Sequence, residues 1–178
     1  MKTRSALGIA GLILTTGSLS AQSPAPSPRP GPEEAKMAVF LGKWNSEGRA
    51  EASPWGSAGA ITGVSNSEWL PGGFFMMSRF EGRQGDIEVK GTSITGYDRR
   101  TKMYTSRYFD SAGNTSTEQC TVSANTWTCT SEGRVGGKRL KGRGTLVYSG
   151  DVVNSKYEYS TDGSKWMPDY QQKGTRVK

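Results

Sequence analysis

After an early turn at Pro71, turn-forming residues cut the chain from Asp98 onward at intervals of roughly 12 to 14 residues, and that punctuation limits the folds open to it. The turns are Pro71-Gly72-Gly73, Asp98-Arg99, Asp110 to Asn114, Ser123 to Asn125, Gly136-Gly137, Gly150-Asp151 and Asp162-Gly163. Between them apolar and polar residues alternate with period two, the pattern of a strand with one face buried. Strands are expected over residues 43–51, 60–69, 74–83, 88–97, 103–109, 115–122, 126–133, 139–148, 154–160 and 169–177. Short strands in series, joined by tight turns, describe an all-β, antiparallel, up-and-down meander. A meander of about ten strands is expected to close into a single barrel, because closure removes its two unpaired edges. One helix precedes it. Met37, Phe40 and Leu41 recur at helical spacing over residues 33–41, Glu33 and Glu34 suit the N-terminal end, and Gly42 stops it.

The first 32 residues differ in composition. Lys2 and Arg4 precede an apolar run, Ala6 to Leu14, too short to span a bilayer, and small residues continue to Ala21. Residues 1–21 are therefore expected to be a signal peptide cut after Ala21, with a retained anchor helix as the alternative. No cysteine lies near the cut to carry a lipid. Residues 22–32 hold five prolines and are read as an extended linker. The domain is then 33–178, exported to the periplasm or secreted, with no stable membrane span once the signal is removed. Without Lys2 and Arg4, the 23 basic residues become 21 against 16 acidic, a net charge of +5. These charges are spread along the chain. Even the densest group, Lys138 to Arg143, alternates with Leu and Gly as a solvated strand face would, so no nucleic-acid partner is expected.

The chain has two cysteines, Cys120 and Cys129. A two-residue turn at Ala124-Asn125 places them opposite each other on neighbouring strands, within reach of a disulfide if they form a non-hydrogen-bonded pair. Export makes that bridge the expected state. A metal site would need further ligands, and the chain has no histidine. The same absence removes Ser-His and Cys-His nucleophiles and haem held through a proximal histidine. No metal, cofactor or catalytic residue is therefore assigned. Glu68, Glu81, Asp98 and Asp110 are the carboxylates weighed for acid–base work; the two aspartates sit in turn sequences where Asp bonds its own backbone.

The segment EWLPGGFFMMSRFEGR, Glu68 to Arg83, sets two Phe and two Met side by side just after Pro-Gly-Gly. As a strand it puts Phe74, Met76, Ser78 and Phe80 on one face and Phe75, Met77, Arg79 and Glu81 on the other. Phe75, Met77 and Arg79 are taken as the interior set, with Arg79 and Arg107 as polar anchors for an acidic head group. Trp69, Tyr104, Trp127, Tyr157 and Tyr159 complete the expected ligand-binding residues. Simple filling of the barrel by these rings stays open as the alternative.

Gly42-Lys43-Trp44, following a short helix and opening the first strand, resembles the Gly-x-Trp start of the lipocalin-like (calycin) barrels. With EWLPGGFFMMSRFEG, GTSITGYDRRTKMYTSRYFDSAGN and QKGTRVK in that order, the chain from Glu34 to its C-terminus resembles the bacterial domain of unknown function 1579 family. The resemblance implies a ten-stranded barrel around a cavity, with Trp44 closing its base against Arg176, or against Lys173 if the register is shifted. It implies no activity, and the cysteine pair is not a hallmark of that family. The expected function is binding of a small apolar or amphiphilic molecule without catalysis. The rivals are a filled barrel that contacts an envelope protein, and a hydrolase using carboxylates alone. Composition does not specify an oligomeric state.

Overall fold

The computed structural model describes residues 28–54 and 56–178. The expected signal peptide, linker residues 22–27 and Trp55 lie outside the described residues. Pro32 opens helix α1 (Pro32–Lys36), where its missing N–H costs no hydrogen bond. The Glu34 carboxylate accepts the Gly31 N–H at 2.7 Å and so caps the same end. The helical segment is shorter than a regular α-helix over 33–41 would be. After Lys36 it tightens into a 3-10 turn, Met37–Phe40, and the backbone is extended at Leu41.

Ten strands follow: β1 (Gly42–Ala50), β2 (Gly59–Trp69), β3 (Phe75–Gln84), β4 (Ile87–Asp98), β5 (Met103–Asp110), β6 (Thr115–Ser123), β7 (Thr126–Val135), β8 (Lys138–Ser149), β9 (Val152–Ser160) and β10 (Met167–Arg176). Each pairs antiparallel with its sequence neighbours, and β1 also pairs with β10, so the sheet closes as an up-and-down barrel. The β6–β7 turn is the two-residue one, with Ala124 at φ 51°. It sets Cys120 opposite Cys129, and the two are joined by a disulfide.

One end of the barrel, the base, is covered by α1 and the 3-10 turn. Met37 is fully buried there among Trp44, Tyr104, Trp127 and Tyr148. Trp44 pairs with Arg176 across the closing strands, and the guanidinium lies 4.2 Å from the indole ring centre. Arg176 also donates to the carbonyl oxygens of Val39, at 3.0 Å, and Leu41. The Trp44 Nε1–H donates to the Phe40 carbonyl at 3.0 Å. The last strand and the first tryptophan thus hold the carbonyl groups that a helix leaves unsatisfied at its C-terminal end. On the far side of α1, Arg99 donates to Glu34 at 2.9 Å. Burial alone would raise the Glu34 carboxyl, but the Gly31 N–H and Arg99 hold it below its ordinary range.

Candidate functional site

Period two along each strand decides what the interior contains. On β3 the inward residues are Met76, Ser78 and Phe80. Met76 is 2% exposed whereas Phe75 is 52% exposed. Phe75, Met77 and Arg79 therefore lie on the outer face, which corrects their expected inward direction. Arg79 is ion-paired with Glu68 at 2.6 Å on that surface. Arg107, exposed on β5, pairs across the strands with Ile94 and Thr117 and also points outward. Neither arginine can anchor a head group inside.

The phase is set by close approach. A Cβ on Gly91 would stand 2.4 Å from the Phe80 ring, and one on Gly96 would stand 2.4 Å from the Phe75 ring. Gly91 makes room for an inward ring and Gly96 for an outward one. The same device recurs at Gly144, where a Cβ would meet the Tyr157 ring at 2.6 Å.

A cavity of about 140 Å³ remains inside the barrel. Its floor is apolar and aromatic. Phe40 packs edge-on against Trp127 with ring centres 4.7 Å apart, and Tyr104 lies 4.5 Å from Trp127. The Cys120–Cys129 bridge and Leu146 form part of the wall. The opposite wall carries hydroxyls, Ser78, Ser93, Thr95 and Ser106. Three of these are hydrogen-bonded: Thr95 bonds Ser106 at 3.0 Å within the wall, and Ser78 bonds Ser67 outside it at 2.7 Å. One layer further along the strands two ring stacks narrow the barrel, Phe80 on Tyr108 at 5.4 Å and Tyr157 on Tyr170 at 5.0 Å.

Glu118 is the cavity's one carboxyl among the described residues. It accepts a hydrogen bond from the Tyr157 hydroxyl at 2.8 Å. Burial pushes its carboxyl up, and the Tyr157 hydroxyl opposes that shift. Its oxygen and both bridge sulfurs lie within 4.8 Å of one another. Bonded to each other, the sulfurs present no thiolate for a metal.

Of the residues expected from sequence, Tyr104 and Trp127 line this cavity. Trp69 packs against the core at its base and Tyr157 reaches Glu118. Tyr159 is buried nearer the other end of β9. Glu118 was not among the carboxylates weighed, yet a signal for it existed. It stands two residues before Cys120, so any register that turns the bridge inward turns Glu118 inward as well. The four weighed carboxylates lie elsewhere. Glu81 pairs with Lys90 at 3.2 Å, while Asp98 and Asp110 accept backbone N–H groups of their own turns. A larger depression of about 510 Å³ runs over the outside of β1 to β4. Its rim charges are paired with one another, Glu81 with Lys90 and Arg83 with Glu88, so it presents solvated ion pairs and no enclosed volume.

Residues 29–134, more than half of the chain, match the model of a family described as a protein of unknown function, DUF1579. The chain belongs to that family. The matched stretch of this DUF1579 protein ends within β7, so the QKGTRVK segment of β10 lies beyond it. No curated protein sequence matches the chain. Solved structures that share its fold include the following two. Rv2717c from M. tuberculosis is 13% identical with a TM-score of 0.63, over 83% of this chain and 99% of that one. The S-type phycobiliprotein lyase CPES from Guillardia theta is 10% identical with a TM-score of 0.58, over 82% and 93%. Both support a lipocalin-like barrel for the DUF1579 chain.

Proposed function

We propose that the protein is an exported binding protein whose barrel takes one small apolar or amphiphilic molecule without catalysis. The observation that carries the reading is the 140 Å³ cavity with its apolar floor and hydroxyl-bearing wall. That volume is below the range of roughly 300–1,000 Å³ common for drug-sized ligands. It suits a single ring, or the end of a longer molecule that extends between the ring stacks. Likeness at 10% and 13% identity carries the fold and not an activity, so the proposal rests on the cavity. Among the described residues Glu118 is the one carboxyl that lines the cavity, which argues against a hydrolase that works with two there. Export is supported by the charged and then apolar N-terminus and by the bridged cysteines. Among the described residues no helix is long and apolar enough to cross a membrane.

The test is titration of an isotopically labelled protein with benzyl alcohol, followed by NMR. Shifts should concentrate at Met76, Ser93, Trp127 and Leu146, and Ser93→Leu, which fills the space, should abolish them. Native mass spectrometry of protein purified from its own envelope should show a co-purified small molecule. If no uncharged single-ring probe binds the wild type, the reading fails. A second reading, a partner-binding surface, draws on the outer face. Phe75 and Phe109 are each 52% exposed on β3 and β5, with Ile94 39% exposed on the strand between them. A Phe75→Ser, Phe109→Ser double variant that loses envelope association while still binding benzyl alcohol would favour it.

A further inference from the structure

We propose that the molecule held in the barrel carries an ammonium or amidinium group, and that Glu118 is its counter-charge. This rests on the cavity being a ligand site and assigns the polarity of what enters it. Glu118 stands in the cavity wall beside the disulfide, and the hydrogen bond from Tyr157 engages one of its two carboxyl oxygens. The carboxyl can therefore accept at least one further donor from the cavity side. Among the described residues no Lys or Arg lines the cavity. On the surrounding strands Arg107 points outward, and Arg79, Lys90 and Arg143 are matched at the surface by Glu68, Glu81 and Glu158. An anionic ligand would meet a carboxyl and no positive charge. A cationic one would meet Glu118 among the aromatic rings of Tyr104, Trp127 and Phe40, a setting in which a cation can gain from a ring's negative quadrupole.

The proton inventory follows from the same geometry. The titratable groups that interact with Glu118 are phenols, Tyr157 from β9 and Tyr170 from β10, whereas on β5 the Tyr104 hydroxyl donates to Glu33 and the Tyr108 hydroxyl to Asp110. Burial pushes all four phenols up, so they remain neutral at physiological pH. Burial pushes up two carboxyls in this region, Glu118 and, beyond Tyr170, Asp169; Glu118 is the one that lines the cavity and so the one placed to exchange a proton when a ligand binds there. A bound cation stabilises the carboxylate and displaces that proton to solvent.

Three probes of one shape separate the possibilities: benzylamine as its ammonium ion, benzyl alcohol and benzoate. Calorimetry on the wild type should show benzylamine binding tighter than benzyl alcohol by roughly tenfold, as for a hydrogen bond to a buried charge, with benzoate weakest. At a pH where Glu118 is protonated, repeating the benzylamine titration in buffers of different ionisation enthalpy should show net proton release to buffer. Glu118→Gln, which keeps the side-chain shape and an acceptor for Tyr157, should abolish the preference for benzylamine. If benzyl alcohol binds and benzylamine binds no tighter, or if binding releases no proton, the cation assignment is overturned while the cavity reading stands. If none of the three probes binds, the cavity reading itself falls and takes this one with it.

Discussion

Replacing Arg176 with Met should be among the most destabilising single changes outside the aromatic core. The side chain has three roles at the base. It stacks on Trp44 at 4.2 Å, a partly desolvated arrangement worth about 1 kcal/mol. It donates to the carbonyl groups of Val39 and Leu41, 137 and 135 residues away in sequence. Each bond to a charged donor contributes about 1.5 kcal/mol, and its loss leaves a helix-end carbonyl without a partner. The pair with Asp151, whose side chain is 49% exposed, adds only a few tenths of a kcal/mol, as surface pairs do. Met preserves most of the apolar stem, so the expected loss is about 4 kcal/mol, a large share of a typical domain stability of roughly 5–15 kcal/mol. Urea unfolding followed by tryptophan fluorescence reads it as a lower midpoint with an unchanged slope. Arg176→Lys should recover only a minority of the loss, because an ammonium cannot present the planar fork that reaches both carbonyls. The reasoning is refuted if Arg176→Met costs less than about 1 kcal/mol, or if Arg176→Lys is as stable as the wild type.

Other expectations follow from individual contacts. Replacing both Cys120 and Cys129 with Ala should cost about 2–3 kcal/mol, the chain-entropy value for so short a closed loop, and a reductant should then no longer shift the urea midpoint. An unchanged midpoint in the double variant would count against that value. Glu118→Gln removes a carboxyl whose folded-state affinity for protons is raised by burial. In the wild type the folded state binds the extra proton above the unfolded pKa of about 4.3, so stability declines as pH rises from there through the raised value. The variant should match the wild type near pH 4 and exceed it at higher pH, by about 1.4 kcal/mol for each tenfold change in proton affinity. Parallel stability–pH curves would contradict this. Gly91→Ala should cost about 2 kcal/mol or more, since the new methyl meets both the packed Phe80 ring and the Phe109 carbonyl. Gly96→Ala should cost less than about 1 kcal/mol, because the nearest obstruction is an exposed Phe75 ring that can swing away. Equal losses from the two glycines would undercut the close-approach argument.

Local chemistry was enough for the barrel. Turn residues have their own backbone preferences and strands their own period, so Pro71-Gly72-Gly73, Gly136-Gly137 and the Ala124-Asn125 turn mark hairpin ends without reference to the rest of the chain. Ten hairpin-linked strands then close because unpaired edges are costly. The cysteine bridge was legible for the same reason, since a two-residue turn ties the register of both its strands. What the sequence could not decide was the phase of β3. Phe74 to Met77 is apolar on both faces, and a one-residue change of phase exchanges inside for outside. That choice lies in neighbouring strands, where Gly91 admits Phe80 inward and Gly96 admits Phe75 outward, and it moves Arg79 from the expected cavity to an ion pair at the surface. The cavity is likewise a tertiary quantity, the volume left after rings from β5, β7 and the 3-10 turn have packed against each other. Its polarity is decided in the same way, because the buried carboxyl at Glu118 acquires its character from Tyr157, 39 residues away, and from the loss of water that only barrel closure brings about.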